Sequence, residues 1–326
     1  MNERKKGALL SYISIILKVV IAFVYTPFLI SSLGNSEYGI YNIVGSFAAY
    51  LAVLDFGIND STVRYLVRQR KLGASKESDE IIGSVTLLYL VIGIAMTIVG
   101  AILFFSLDSF LSASFTNHEL YLLKYIYIIA FASIVMTITF NPITAILIAY
   151  EKFILVKGIE IAAYLITVGT TAIYLLLGYN VIAVVAISAI VNATGILIKI
   201  WYVFRKLKIP FRLRGYSRFY IKELFTYALP IFFVVLVEQI YWKLDNIIIG
   251  SKLGPTIVAF YAVGIFFQKY ILSFSTAISR VMIPRLILQI DGESNSKAIT
   301  KSLITIARFQ LTIVLLIIIG LVLFGK

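Results

Sequence analysis

Charged side chains lie inside the long apolar stretches of this chain, where a surface position does not explain them. The bases are Lys18, Lys243 and Lys269, and the acids are Glu238 and Asp245. A charge near the centre of a bilayer costs about 2.5 to 3.5 kcal/mol even on a lenient insertion scale, so it needs a polar cavity or a partner. These groups can bind ions and polar ligands, or they can pair with one another and hold helices together. We take them as candidate cavity-lining residues.

The composition indicates a membrane protein that crosses the bilayer many times. Because 60% of the residues are hydrophobic and only 14% are charged, a soluble domain is excluded. A spanning helix needs about 20 mostly apolar residues, and about nine such segments can be placed. They are 7–32, 38–58, 81–107, 120–149, 158–178, 180–204, 224–250, 256–278 and 302–324. The predicted fold class is an all-α polytopic membrane protein.

Basic residues fall almost entirely on one side of the membrane once these spans are drawn. They precede the first span, follow the second, fourth and sixth, and lie between the eighth and the ninth. By the positive-inside rule the N-terminus is cytoplasmic, and we expect a multi-pass protein of the cytoplasmic (inner) membrane. This topology and contact with anionic membrane lipids explain the net charge of +13, so we expect no nucleic-acid partner.

The sequence offers no residues for nucleophilic or metal chemistry. It has no cysteine and a single histidine, His118, which lies in a polar stretch between two predicted spans. It contains no phosphate-binding glycine loop, metal-binding helix motif or nucleophile elbow. We therefore expect no enzymatic activity, no catalytic residue, no cofactor and no metal ion.

Polar stripes run along two of the predicted spans. In the first span the polar residues that share one helical face are Ser11, Ser14, Lys18 and Tyr25. In the seventh span Glu238, Tyr241 and Asp245 share a face in the same way. Lys18 and Glu238 are 220 residues apart, which is also the spacing of an internal repeat. We hypothesise that these two residues either form an ion pair or line opposite walls of one cavity.

That repeat relates residues 31–50 to residues 251–270 without a gap. Both copies contain a Leu-Gly pair, Leu33-Gly34 and Leu253-Gly254, followed by matching tyrosine and phenylalanine positions. An even number of predicted spans separates the copies, so both run in the same direction. We expect two lobes related by an axis along the membrane normal. The alternative is chance similarity between two hydrophobic helices.

The repeat predicts one lobe of about six helices followed by about three helices of a second lobe. The predicted boundaries are 1–204 for the first lobe, 205–222 for a basic cytoplasmic linker and 223–326 for the incomplete second lobe. The basic and aromatic residues of the linker suit a segment that lies on anionic lipid. We expect the chain to be a fragment of a longer protein, a truncated reading frame, or one part that a partner completes.

A second polar group is predicted at the inner mouth of the second span. Its members are Asp55, Asn59, Asp60 and Arg64. Asp60 and Arg64 stand at positions i and i+4, where an ion pair can form. We interpret the group as an inner gate or cap, with a solvated helix end as the alternative. Pro27 and the pair Asn141-Pro142 predict kinks in the first and fourth spans.

Two stretches carry a resemblance to a known family. In residues 26–67 the motifs are Leu33-Gly34, Tyr38-Gly39-Ile40-Tyr41, Asp55-Phe56-Gly57 and Arg64-Tyr65. In residues 241–254 the motifs are Asp245, Ile249-Gly250 and Leu253-Gly254. These motifs resemble those of the Wzx-type polysaccharide flippases, which belong to the multidrug/oligosaccharidyl-lipid/polysaccharide (MOP) exporter superfamily.

The resemblance implies two lobes of about six helices around a central cavity, and transport by alternating access. The implied substrate is a lipid-linked oligosaccharide on a polyprenyl pyrophosphate, a repeat unit of O-antigen, capsule or exopolysaccharide. Lysines would bind its phosphates, and Tyr, Ser, Thr and Asn side chains its sugar hydroxyls. Coupling to a H⁺ or Na⁺ gradient through Glu238 and Asp245, and contacts with polysaccharide assembly proteins, are further expectations.

Other functions remain open on the sequence. A multidrug or small-molecule antiporter of the same superfamily is disfavoured, because lysines sit where such sites use acids and aromatics. A lipid II-type flippase is not distinguished from the leading interpretation. A membrane glycan polymerase would need large outer loops, whereas the loops predicted at 108–119 and 179–180 are short.

Overall fold

The apolar runs fold as long helices. The computed structural model describes residues 3–72, 75–209, 216–269, 271–272 and 296–324, and no β-strand occurs in these ranges. The helices, in chain order, are α1 (Glu3–Ala52), α2 (Ile58–Lys71), α3 (Ser75–Leu111), α4 (Asn117–Thr139), α5 (Asn141–Ala149), α6 (Phe153–Leu176), α7 (Val181–Tyr202), α8 (Arg218–Leu253), α9 (Pro255–Lys269) and α10 (Ser296–Phe324). A 3₁₀ turn at Val53–Asp55 follows α1, and a π turn at Val203–Leu207 follows α7.

Within the described ranges, seven helical segments are long and apolar enough to cross a bilayer. The first of them, Leu10–Lys71, has 62 residues and covers the first two predicted spans. α9 is a shorter apolar helix. The all-α polytopic class is therefore confirmed, whereas the predicted count of about nine spans is not. The predicted linker 205–222 lies partly outside the described residues.

Contacts between residues divide the chain into two units, one ending at Phe260 and one beginning at Tyr261. In the second unit the structure describes the end of α9 and the whole of α10, whose described side chains are mostly exposed. The predicted lobe boundaries stay predictions. The rest of the fold description concerns the first unit.

Two apolar cores hold the first unit together. One surrounds Ile58, Tyr89 and Ile146, where α2, α3 and α5 meet. The other is built on the second half of α1, the end of α3 and the start of α4. Leu103 and Phe131 pack against both cores. α3 and α4 therefore pass through both cores.

The two copies of the repeat bend at the same residue. α1 leaves helical geometry at Gly34, with φ 74° and ψ 169°. α8 ends at Gly254, with φ 83° and ψ 174°. This region of backbone conformation is open almost only to glycine. The shared Leu-Gly pair therefore encodes a shared turn, which favours a true repeat over chance similarity.

The segments beside these turns also pack against each other. Gly39, in the second half of α1, lies against the carbonyl of Pro255, the first residue of α9, so closely that a Cβ on Gly39 would overlap that oxygen. Proline suits the first position of a helix because the missing N–H would have no intrahelical partner there. The absence of a side chain at Gly39 is what allows this contact.

Polar contacts tie the turn at Gly34 to neighbouring helices. The Glu37 carboxylate accepts a hydrogen bond of 2.8 Å from the backbone N–H of Val181, at the start of α7. Ser36 donates to the carboxylate of Glu119, which also forms a capping box with Thr116 at the start of α4. These bonds satisfy N–H groups that a helix start leaves without partners.

The predicted kink in the fourth span is confirmed. α4 ends at Thr139 and α5 begins at Asn141, with Phe140 between them, and Pro142 lies in the first turn of α5. Pro27 lies inside α1, but the non-helical residue of that helix is Gly34. The interruption of α1 therefore follows the glycine of the repeat and not the proline.

Candidate functional site

Lys18 faces α6 in the structure. Its Nζ atom lies 5.8 Å from the centre of the Tyr164 ring, and the Tyr164 hydroxyl donates a 3.3 Å hydrogen bond to the Lys18 carbonyl. A lysine over an aromatic face is held by a cation–π attraction. No ion pair joins Lys18 to Glu238 in the described part of the chain. Lys18 contacts Tyr164 of α6 while Glu238 is on α8, so the structure shows no direct pair between these two described residues, and the alternative of opposite walls of one cavity stays a prediction.

A basic cluster extends from Lys18 across α6 and α7. Lys157, Glu160 and Tyr164 share one face of α6, and Lys157 Nζ lies 2.8 Å from the Glu160 carboxylate. Lys199, on α7, donates a 3.3 Å hydrogen bond to the hydroxyl of Thr144 and lies within electrostatic reach of both Lys157 and Glu160. We define the basic cluster as Lys18, Lys157, Glu160, Tyr164 and Lys199. Its bases outnumber its single acid, so it carries an excess of positive charge.

Sequence reasoning missed most of this cluster. Lys157 lies between the predicted spans 120–149 and 158–178, and Lys199 lies close enough to the predicted end of its span to reach water. The available signal was the spacing of Lys157, Glu160 and Tyr164, which fits one face of a helix. Their position opposite Lys18 depends on how α1 packs on α6, which that spacing does not reveal.

A cavity of about 420 Å³ lies between α1, α4 and α7. Its polar lining residues are Tyr41, Ser133, Thr137, Ser188 and Asn192. The side-chain amide of Asn192 donates hydrogen bonds of 2.6 Å to Thr137 and 3.2 Å to Ser133. Asn192 and Lys199 are two helical turns apart on α7 and share a face. The polar lining of this cavity and the basic cluster thus lie along the same side of α7.

Tyr25 lines a different feature, an apolar groove of about 430 Å³ between α1 and α6. The other lining residues are Val20, Ile21, Val24, Phe28, Val168, Ala172 and Leu176. Lys18 precedes Tyr25 by two helical turns on the same face of α1. Two residues of the first predicted stripe therefore face α6. Lys18 lies at Tyr164, and Tyr25 lies in the apolar groove.

The remaining predicted cavity residues are on α8 and α9, and not on the helices α1, α6 and α7 that carry this cluster. Glu238 and Asp245 are exposed on α8, and Lys243 is half-buried on the same helix. Lys269 is exposed at the end of α9, in the second unit. The described residues of the first unit therefore do not gather the predicted set into a single constellation.

The predicted inner gate is only partly connected. Asp55 accepts a 3.1 Å hydrogen bond from the side-chain amide of Asn141. The guanidinium of Arg64 lies 5.6 Å from the centre of the Tyr227 ring of α8, and no Asp60–Arg64 ion pair occurs in the described ranges. Asp60 is exposed, whereas the side-chain oxygen of Asn59 is buried with no hydrogen-bond partner among the described residues. Arg64 therefore interacts with α8 and not with Asp60.

The described residues contain no group of three or more histidine, cysteine, aspartate or glutamate side chains that could hold a metal ion. What the first unit does present is a charged cluster, a neutral polar cavity and an apolar groove on neighbouring helices. Such an arrangement can bind a molecule that has anionic, hydroxylated and apolar parts.

The sequence matches the family described as "Polysaccharide biosynthesis protein" over residues 5–288. The chain belongs to this polysaccharide biosynthesis protein family. The match confirms the resemblance drawn from the Leu-Gly and Asp-Phe-Gly motifs. No curated protein sequence matches the chain.

Solved structures show the same fold for this polysaccharide biosynthesis family protein. An inward-facing multidrug resistance MATE family transporter of the MOP superfamily has a TM-score of 0.71 at 15% identity, covering 94% of this chain and 70% of that one. An outward-facing structure described in the same words has a TM-score of 0.56 at 18% identity, covering 98% and 73%. A MOP superfamily transporter from Pyrococcus furiosus, whose description states a reverse polarity of the binding pocket, has a TM-score of 0.56 at 18% identity, covering 98% and 72%.

The family match and the shared fold agree with each other. This polysaccharide biosynthesis family protein shares the fold of MOP superfamily transporters, and its described residues contain seven helical segments long and apolar enough to cross a membrane. Its family and its structural neighbours fit a protein that is not an enzyme.

Proposed function

We propose that this protein moves a lipid-linked oligosaccharide, attached through pyrophosphate to a polyprenol, across the cytoplasmic membrane by alternating access. The observation that carries the proposal is the basic cluster on α1, α6 and α7, in a protein of the polysaccharide biosynthesis family. The N-terminus is cytoplasmic in this proposal, as the distribution of basic residues indicates.

The charge of the cluster suits a pyrophosphate. Lys157 is paired with Glu160, which leaves Lys18 and Lys199 without an acid within 4 Å among the described residues. Lysine ammonium groups bind phosphate as point charges. An anionic ligand would therefore offset the cost of holding these charges at membrane depth.

The neutral surfaces suit the rest of the substrate. The hydroxyl and amide groups around Asn192 can exchange hydrogen bonds with sugar hydroxyls. The groove beside Tyr25 is apolar and can accommodate hydrocarbon. Coupling to a H⁺ or Na⁺ gradient and docking of polysaccharide assembly proteins belong to the same proposal.

Complementation of a bacterial strain that lacks its polysaccharide flippase tests the proposal. The chain, with any genomic extension, is expected to restore lipid-linked oligosaccharide at the cell surface. Lys18→Ala should remove that export. Lys124→Ala is the matched control, because Lys124 pairs with Asp108 at 2.6 Å outside the basic cluster. Normal membrane levels of all variants, measured by immunoblot, must accompany the comparison.

Multidrug transport is the second candidate, since the solved neighbours include multidrug resistance transporters. Drug accumulation in the same cells separates the two functions. Energy-dependent efflux of cationic drugs without oligosaccharide export would contradict the flippase proposal. Export of a lipid II analogue in place of the oligosaccharide would retain the mechanism and change the substrate.

A further inference from the structure

A cavity of about 760 Å³ lies between α2 and the first half of α8, and we call it the α2–α8 cavity. Tyr65 lines it from α2, and the lining residues of α8 follow one helical face from Phe219 to Ile231. Small-molecule sites usually have volumes of about 300–1,000 Å³, so this cavity is large enough for a ligand. The basic cluster, the cavity at Asn192 and the groove beside Tyr25 are built on other helices, which leaves the α2–α8 cavity without a role in the proposed transport.

Apolar contacts bound the cavity near the middle of α8. Phe232 stacks on Phe56 with ring centres 4.5 Å apart, and Phe225 lies 5.5 Å from the same ring. Ile231 packs on Gly57 so closely that a Cβ on Gly57 would overlap the Ile231 side chain. Gly57 has φ 66°, a conformation that favours glycine. The Phe-Gly pair of the sequence motif therefore holds α8 in place at this end of the cavity.

The walls of the cavity carry aromatic rings and one charge of each sign. The guanidinium of Arg64 lies 5.6 Å from the centre of the Tyr227 ring, and the Tyr65 hydroxyl lies within electrostatic reach of the Glu223 carboxylate. The Arg-Tyr pair of the sequence motif therefore faces α8 with both residues. Among the lining residues Lys222 is the base and Glu223 is the acid, so the lining has no net charge. This balance distinguishes the cavity from the basic cluster on α1, α6 and α7.

Such a lining suits a molecule with many hydroxyl groups, each of which both donates and accepts hydrogen bonds. The Glu223 carboxylate can accept these bonds, the Lys222 ammonium can donate them, and the Thr226 hydroxyl can do either. The rings of Tyr65 and Tyr227 add amphipathic surface that can cover the C–H face of a sugar ring. A pyrophosphate would instead favour an excess of positive charge, and a hydrocarbon chain would leave these polar groups without partners.

We propose that the α2–α8 cavity binds the glycan of the transported substrate on the cytoplasmic side, before the substrate crosses the membrane. The inference rests on the proposed function for the nature of the ligand. The side follows from the basic residues in the last turn of α2, Arg68, Arg70 and Lys71, under the positive-inside rule. Tyr227 would stack on a sugar ring while Glu223 accepts hydrogen bonds from its hydroxyl groups. The glycan would thus contact α2 and α8 together.

The test uses the absence of cysteine from the sequence, because Thr226→Cys then places a single thiol in the cavity. A membrane-impermeant maleimide labels this thiol in inside-out vesicles from cells that lack their own polysaccharide flippase. The probe is the host's lipid-linked repeat unit, which deletions of its glycosyltransferases leave complete, stopped at the first sugar, or absent. The complete unit is expected to slow labelling several-fold, and Tyr227→Leu or Glu223→Gln in the same chain should remove this protection. Lys71→Cys, exposed at the end of α2, is the matched control and should be labelled equally in all vesicles.

Labelling of Thr226→Cys at the same rate with the complete unit as with none would overturn the inference, and export by the wild-type chain in the same host would show that the proposed function stands without it. Equal protection by the shortened unit would also overturn it, since the occupant would then be the lipid pyrophosphate. Protection that survives in both Tyr227→Leu and Glu223→Gln would place the glycan elsewhere. Protection without export by the wild-type chain would contradict the proposed function and retain glycan binding at this cavity. Should Thr226→Cys not reach the membrane, Lys222→Cys supplies the thiol on the same wall.

Discussion

Asn246 of α8 donates a hydrogen bond from its side-chain amide to Ser46 Oγ of α1, across a distance of 3.0 Å. Both residues are buried, and Ser46 in turn donates to the Asn42 carbonyl at 2.9 Å. In an apolar environment such a bond fixes the register of two helices, because either partner alone would be left unsatisfied. The bond thus sets where α8 lies along the second half of α1.

Ser46→Ala is expected to destabilise the protein by about 1–3 kcal/mol, since it leaves the buried amide of Asn246 without an acceptor. The double variant Ser46→Ala/Asn246→Leu should recover most of this loss because it removes both polar groups. Denaturant unfolding in detergent micelles measures the free energy of unfolding of the wild type, the two single variants and the double variant. Additive losses in the two single variants and the double variant would contradict the coupling.

Gly39→Ala is expected to cost about 1–3 kcal/mol, because the new methyl group meets the Pro255 carbonyl, a backbone atom that cannot rotate away. Gly45→Ala is the matched control on the same helix, since no atom lies within 4 Å of a Cβ built there. The midpoint of thermal unfolding compares the two. A loss in Gly45→Ala as large as that in Gly39→Ala would mean that the contact with Pro255 has no special weight.

Glu37→Ala is expected to leave the N–H of Val181 buried without a partner and to destabilise the start of α7 by about 1 kcal/mol or more. Glu37→Gln keeps an acceptor oxygen and should retain most of the stability. Hydrogen exchange at the first turn of α7 reports the effect locally. Equal protection in all three proteins would show that the Glu37 bond does not hold this turn.

Glu160→Gln is expected to strengthen pyrophosphate binding several-fold, because it removes the one acid that pairs with Lys157 in the basic cluster. Lys199→Met should weaken binding about tenfold. Isothermal titration with inorganic pyrophosphate at low ionic strength measures both affinities. Asp108→Asn removes an acid elsewhere and serves as the control; the same gain in that variant would point to bulk charge instead of the cluster.

Much of the fold could be predicted because membrane-spanning helices are recognisable from their length and their apolar composition. The kink at Asn141-Pro142 was predictable because proline removes a helix hydrogen bond. The matched turns at Gly34 and Gly254 were signalled by the repeated Leu-Gly pair, though the backbone conformation was not. The interruption of α1 at Gly34 depends on local backbone geometry that hydropathy does not contain.

The site was harder to predict than the fold. Lys18 was singled out as a charge inside a predicted span, but its neighbour Tyr164 is 146 residues away in the chain. Which face of α6 meets Lys18 depends on how the two helices pack. The sequence predicted for Asn141 only a kink in the fourth span, together with Pro142. Its bond to Asp55 depends on two helix breaks meeting in space, which no local pattern encodes.

The contact between the two repeat copies resembles a subunit interface closed within one chain. In a symmetric dimer a single surface must fit its own image, so each residue is constrained in two places at once. When both copies belong to one chain, that double constraint does not apply, and each copy can differ from the other. Gly39 retains the space that Pro255 needs, while its counterpart at the same repeat position, Ala259, carries a methyl group and is buried. Asymmetry between the copies is thus open to a single chain, whereas a symmetric dimer could not have it.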